Sequence, residues 1–393
     1  MKQLIKSIAA AAVCVCFAIG VVRGQSDPIN VVTTAVPFLR ISPDSRAGGM
    51  GELSTATSPD VNAQFYNLAK YPFAKSKAAA GLTYTPWLKD LGLNDVFLAT
   101  LAGYYQFGEE NEQAVSASMR YFSLGNIQFT DNLGNDLNSF RPREFSFDLG
   151  YSRKLSDKLA LGIALRYIYS NLAGGQAVNG VSYQPGNSVA GDIGLYYTGL
   201  DEEGSGWNFG AAFTNLGSKI GYTDDPNQKD YIPANMALGA VYTKTFQEIH
   251  KVSFGLDINK LLVPTPPAEG DSAGLVEYRD QGVVQSWFTS FTDAPGGFSE
   301  ELKEFYFSFG AEYWYNEQFA FRTGFFYEDA TKGNRQYFTV GAGIKYNMFG
   351  LDFSYLIPTG NGVNRNPLSN TIRFGLSFDF GGGGEGGTTS GGQ

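Results

Sequence analysis

From about residue 76 onward, apolar and small or polar residues alternate in segments roughly ten residues long. Leu159, Leu161, Ile163, Leu165, Tyr167 and Tyr169 fall on one face of such a segment, and Ala160, Gly162, Ala164 and Arg166 on the other. Phe305, Phe307, Phe309, Ala311 and Tyr313 stand opposite Glu304, Ser308, Gly310 and Glu312. Ile372, Phe374, Leu376, Phe378 and Phe380 stand opposite Arg373, Ser377 and Asp379. A period of two is the mark of a β-strand. The charges stay off the aromatic face. On a lipid-facing surface a charge costs about 2–4 kcal/mol at mid-bilayer, whereas a lumen-facing one is tolerated. A soluble sandwich would also keep its charges on one face, so length has to discriminate. About nine to eleven residues is a tilted membrane crossing, against five or six for a soluble strand.

The pattern predicts fourteen strands, near 76–84, 96–107, 113–125, 143–154, 158–170, 188–198, 206–215, 233–246, 249–259, 302–315, 318–328, 335–346, 349–357 and 370–380. Tight connections (109–112, 156–157, 316–317, 347–349) alternate with long ones (126–142, 171–187, 216–232, 260–301). The connection 199–205 is longer than a turn but falls on the short side by count. Short periplasmic turns alternating with long external loops are the habit of outer-membrane barrels. Strand edges in lipid must be paired, so the sheet is expected to close. The fold class is therefore all-β: a transmembrane outer-membrane barrel of about fourteen antiparallel strands, carrying an N-terminal plug.

Four regions follow. Residues 1–24 read as a signal peptide, with Lys2 and Lys6 before an apolar core from Ile8 to Ile19 and a cleavage site before Gln25. Residues 25–75 do not fit the wall. Pro37, Pro43, Pro59 and Pro72 interrupt strands, 47–57 is small and glycine-rich, and Asp60 to Lys70 suggests a short helix. A segment placed before the first strand lies beneath or inside the barrel, and a plug is favoured because a fourteen-strand bore is too wide for side chains alone to fill. Residues 76–380 form the barrel. Residues 381–393 read as a glycine-rich disordered tail.

Composition agrees with this picture. The chain has 31 Phe, 23 Tyr and 49 Gly but only 17 % charged residues, and beyond its start it lacks any apolar run long enough for a helical span. Both cysteines, Cys14 and Cys16, lie in the expected signal, so the mature chain has neither disulfides nor thiol metal sites. Removing Lys2, Lys6 and Arg23 takes the formal net charge from −9 to −12. An acidic chain without a basic cluster argues against nucleic acid.

One stretch has a familiar form. Phe38-Leu39-Arg40-Ile41-Ser42-Pro43-Asp44-Ser45-Arg46-Ala47-Gly48-Gly49-Met50-Gly51, then Ser58-Pro59-Asp60-Val61-Asn62-Ala63 and Asn67-Leu68-Ala69-Lys70, resembles the N-terminal region of the PorV family. These are outer-membrane components of the type IX secretion system, within the broader FadL-like barrels. The resemblance is strongest over 34–75, and Leu68 stands where the family usually has proline. It implies a non-enzymatic barrel in the cell outer membrane, amid membrane lipids and lipopolysaccharide, that accepts the C-terminal domains of secreted cargo from a large translocon. Delivery would be to a cell-surface attachment complex with a sortase-like subunit. It also marks Pro43, Asp44, Arg46, Gly48, Gly49, Gly51, Asn67 and Ala69 as the plug motif.

Catalytic chemistry finds no support. The single histidine, His250, falls in a turn predicted to be periplasmic, on the wrong side for the Ser/His/Asp set that a membrane hydrolase usually carries near its outer rim. No cofactor or metal set is apparent: Asp224-Asp225 lacks EF-hand spacing, and Gly48-Gly49-Met50-Gly51 lacks the strand and βαβ unit of a dinucleotide site. The long loop 260–301 is different, because Trp287, Phe288, Phe291 and Phe298 accompany seven acidic and two basic residues. Either these aromatics fold back to cap the barrel or they meet a partner. Two other functions stay open at this point. A FadL-type transporter of hydrophobic small molecules would need an apolar path, which the inward Arg166, Asp192, Glu312, Arg322 and Arg373 disfavour. A generic porin would need an open bore.

Overall fold

The computed structural model describes residues 30–89, 92–130, 136–175, 177–178, 181–225, 228–267, 270–359 and 370–381. The expected signal peptide and almost all of the expected tail lie outside the described residues. Fourteen strands form one closed antiparallel wall. In chain order they are β1 Ala78–Pro86, β2 Val96–Phe107, β3 Gln113–Leu124, β4 Arg143–Lys154, β5 Leu159–Asn171, β6 Gly186–Leu200 and β7 Gly206–Gly217. The second half is β8 Asn235–Phe246, β9 His250–Leu261, β10 Phe305–Tyr315, β11 Phe319–Tyr327, β12 Gln336–Tyr346, β13 Phe349–Pro358 and β14 Ile372–Phe380. Each pairs with its chain neighbours, and β14 closes on β1 with Leu82 opposite Leu376. No backbone edge is left for lipid to solvate.

The connections sort by side. Those at 108–112, 155–158, 201–205, 247–249, 316–318 and 347–348 are short and share a side with the start of β1 and the end of β14. Those at 87–95, 125–142, 172–185, 218–234, 262–304, 328–335 and 359–371 are on the other. The doubtful 199–205 connection joins the short set, because β6 runs on to Leu200 before the chain turns. Gln247-Glu248 and Asn316-Glu317 turn with positive φ at both residues, 54° and 60°, then 50° and 51°. That left-handed pair matches the twist of the flanking strands.

Along each strand one face points out and is apolar. Leu165 is 70 % exposed and Phe321 62 %, which water would penalise and a bilayer does not. Among the described residues no helix is long and apolar enough to cross a membrane, so crossing falls to the strands.

Residues 30–77 run inside this wall. The expected helix over Asp60 to Lys70 is instead two 3₁₀ turns, Val61–Phe65 and Leu68–Phe73. Asp60 caps the first, and Asn67 restarts the chain by accepting from the Ala69 amide. Inward glycines make the room. A Cβ at Gly310 would lie 2.6 Å from the Met50 carbonyl oxygen, and one at Gly162 would lie 2.8 Å from the Ala69 amide nitrogen. Gly81, Gly210, Gly341 and Gly375 likewise face Val61, Thr55, Gly49 and Ser45 from around the wall. The plug backbone therefore rests directly on the wall backbone. The described chain begins at the loop side, where the Asn30 amide donates to the Thr331 carbonyl at 3.1 Å. The two ends of the wall share a side, but the described chain enters from the opposite one.

Candidate functional site

The plug is fastened by charge. Asp44 caps a short helical turn, α1 Ser45–Gly48, accepting from the amides of Arg46 and Ala47 at 2.9 and 3.0 Å. That fixes Arg46, whose guanidinium finds a partner for every direction it offers. It forks onto Glu312 of β10 at 2.9 and 2.7 Å, reaches Asp60 at 2.7 Å, and meets the Ser58 carbonyl and hydroxyl at 2.9 and 2.7 Å. Glu312 also accepts from Arg322 of β11 at 2.7 Å, and Arg322 reaches Asp352 of β13. Buried ions persist when they are paired in this way. Glu52 accepts from Tyr337 and Arg373 at 2.8 and 3.0 Å, and Asp257 of β9 accepts from the Ser54 and Thr55 amides, both at 2.9 Å.

The structure gathers the motif residues named from sequence into this one region. Gly48 has no room for a Cβ beside Arg373, and Gly49 sits against the Gly341 backbone. Gly51, at φ 66°, donates to Thr339 at 2.8 Å. Asn67 ties Thr55 to the Leu195 carbonyl of β6 at 3.1 and 2.8 Å. Leu68, in the second 3₁₀ turn, buries its side chain beside Gly150 and Gly162. Pro43 lines a cavity of about 100 Å³ on the loop side of the plug, and Asp44 and Arg46 line a separate one of about 240 Å³ on the turn side. The partners Glu312, Arg322 and Arg373 were readable only as lumen charges, and Asp352 was not picked out at all. Nothing in a sequence separation of 266 residues says that Arg46 meets Glu312.

A second ionic group braces the long loop. Lys260 lies 2.7 Å from Glu301 and 2.6 Å from Glu304, and Lys332 lies 2.6 Å from Glu300 and 3.0 Å from Glu304. Burial alone would raise the Glu304 carboxyl, but Lys260, Thr265 and Lys332 together outweigh it and hold it below the usual range. Asp293 is pushed up, mainly by burial, against hydrogen bonds from Thr265. Asp293, Glu301 and Glu304 converge closely enough for a cation, yet two ammonium groups already supply that charge.

The loop itself carries α2 Ser272–Asp280 and α3 Val283–Thr289. The four aromatics separate into two pairs. Trp287 and Phe291 are half-buried, with the Lys260 ammonium 5.6 Å from the Phe291 ring. Phe288 and Phe298 are 73 % and 77 % exposed, and Val276 and Val284 of the same loop are exposed as well. His250 lies far from this rim. Its Nδ1 is 2.8 Å from the Tyr313 hydroxyl, and its ring stacks with Phe246 and Tyr313 on the outer face of the wall. Asp224 accepts from Gln184 at 2.9 Å.

A closed wall with an aromatic outer face, a polar lumen and a built-in plug defines an outer-membrane β-barrel. Two toluene transporters share the fold. Ralstonia pickettii TbuX is 14 % identical, with 86 % of this chain and 98 % of that one covered at a TM-score of 0.53. Pseudomonas putida TodX is 13 % identical, with 89 % and 98 % covered at 0.50. At such identities the likeness is one of fold alone. No curated protein matches the sequence. The family model described as type IX secretion system protein PorV matches residues 24–268. The chain belongs to the PorV family, and it is an outer-membrane component of type IX secretion.

Proposed function

We propose that the barrel works at its outer rim as a non-enzymatic docking and shuttle component. It receives the C-terminal domains of secreted cargo after a large translocon has passed them, and delivers them to a cell-surface attachment complex with a sortase-like subunit. The observation that carries this reading is the exposed pair Phe288 and Phe298, held on a braced loop above a lumen filled by the plug. Cargo has no route through the bore, so contact falls to the rim. Exposed aromatics of this kind are strong interface anchors. In this reading residues 1–24 are the signal peptide, 25–75 the plug, 76–380 the barrel and 381–393 a tail. Trp287 and Phe291 keep the loop in shape, while Phe288 and Phe298 meet the partner. Transport of hydrophobic small molecules has less support, because the lumen is lined by Arg46, Asp60, Glu312 and Arg322.

The test is capture from native membranes. Phe288→Ala/Phe298→Ala should recover translocon and cargo at least tenfold less well, with heat-modifiability unchanged. Normal capture and secretion by that variant would move the docking surface elsewhere on the rim.

A further inference from the structure

The plug does not end where its charged core ends. Its leading arm, residues 30–36, climbs to the outer rim and is held there by elements that also hold the long loop. Ala35 donates its amide to the Tyr231 carbonyl at 2.9 Å. Val32 is buried with Tyr231, Leu261 and Val263, against Tyr278 and Val283 of the loop. Tyr231 looks both ways. Its hydroxyl donates to the Gln281 carbonyl at 2.7 Å, and its ring meets Tyr278 edge-on at 5.3 Å. Lys219 lies 4.1 Å from that ring and donates to the Arg279 and Gln281 carbonyls at 2.7 and 2.9 Å. A cation at these carbonyls suits the negative end of α2.

At the base of the arm is Val36, at φ 46° and ψ 50°. A β-branched residue in the left-handed region is strained, and such a conformation persists only where its surroundings enforce it. Val36 is 1 % exposed and packs with Phe38, Leu98, Phe122, Ile168 and Ile220, none of them in the loop 262–304.

We infer that residues 30–36 are a latch: the seating of the long loop and the seating of the plug's outer end are coupled through Tyr231 and Lys219, with Val36 as the strained hinge. Anything that lifts α2 and α3 off the rim removes both the cover over Val32 and the contacts that fix Tyr231. The arm then keeps its backbone hydrogen bonds to Thr331 and Tyr231 but loses its apolar cover, and it swings outward about Val36 once those two part. Linkage requires the reverse as well, so an arm out of its seat weakens the hold on the loop. That docked cargo or translocon is what lifts the loop rests on the function proposed above. The latch itself does not, so its test contains no partner.

The only cysteines in the sequence are Cys14 and Cys16, ahead of the described residues, so a Val36→Cys reporter can be read against wild type. In the full-length protein in detergent, a bulky water-soluble maleimide should label Val36→Cys slowly. Adding Lys219→Met and Tyr231→Phe, which cut the loop's tethers without touching Val36, should speed labelling at least tenfold while heat-modifiability persists. Limited proteolysis within 272–289 shows whether the loop has been loosened. A loosened loop with unchanged Val36→Cys labelling overturns the coupling. If the loop stays tight, a variant with 272–289 replaced by a short Gly-Ser linker decides: faster labelling supports the latch, and unchanged protection sinks it.

Discussion

Replacing Arg46 by alanine is the sharpest perturbation of the plug. Five hydrogen bonds vanish at once. Glu312 keeps Arg322, but the half-buried Asp60 is left without its closest cation. Breaking one partner out of a buried ion pair costs about 3–5 kcal/mol, or roughly two to three and a half decades in the plug's docking equilibrium. Reconstituted into planar bilayers, the wild type should be nearly silent and Arg46→Ala should show bursts of conductance as the plug loosens. Arg46→Lys should fall between them, because an ammonium cannot fork onto Glu312 and reach Asp60 at the same time. Pairing Arg46→Met with Glu312→Gln in a double-mutant cycle on urea stability should return a coupling of about 1–3 kcal/mol. Silent bilayers and additive stabilities together would refute the idea that this contact fastens the plug.

Deleting 44–58 should raise single-channel conductance well above that of the intact protein, and a large conductance in the intact protein would show that the plug does not close the bore. Gly310→Val should prevent assembly of the heat-modifiable form, since the new side chain would occupy the place of the Met50 carbonyl. Trp287→Ala should increase proteolysis of the loop, whereas Phe288→Ala should leave it unchanged, because only the first side chain is packed. The loop should also be acid-sensitive. The folded-state value of Glu304 is depressed, so its contribution is complete above the ordinary glutamate value of about 4.3 and is lost as pH falls through the lower folded value. Asp293, pushed upward, takes up its proton earlier and does not oppose the change in this window. Pepsin cleavage near Phe291 should therefore appear only below the carboxylate range, and cleavage at pH 5 equal to that at pH 3 would contradict this.

The wall was legible because its cause is local. The alternation through Leu159 to Tyr169 or Phe305 to Tyr313 fixes strand, face and medium together, and the sorting of connections by length fixes which end is which. The ends of strands were less legible. Leu200 and Gly217 extend their strands past the predicted limits because pairing with the partner strand continues, and pairing is not a local property. The plug was visible only as a stretch unfit for a wall. Its internal form was misread at Asp60 to Lys70, where helical spacing gave way to a chain that must follow the curved wall and is turned by Asn67. Which charges would meet could not be read, since Glu52 and Arg373 or Arg46 and Glu312 are brought together only by closure. The loop aromatics look alike in sequence, and only the packing of Phe291 under Lys260 separates those that hold the loop from those that face outward.

The wall and the plug are written for each other, and that bears on where the protein can act. Inward glycines at one level of the wall leave a space with the shape of the backbone over 45–69. The inward charges complement it, since Arg373 finds its carboxylate in Glu52 and Asp257 spends an oxygen on two plug amides. Without Glu52, Arg373 would lose the carboxylate that pairs it in the buried lumen, a loss that low-dielectric surroundings penalise heavily. β14 closes the barrel while carrying both Arg373 and Gly375, so the strand that completes the wall is also one that grips Ser45 and Gly48. A lumen specified this fully by its own chain has no space for a folded or extended cargo alongside it. Under the function proposed above, contact with secreted proteins falls to the rim, where the loop that carries Phe288 and Phe298 packs against the arm that leads into the plug.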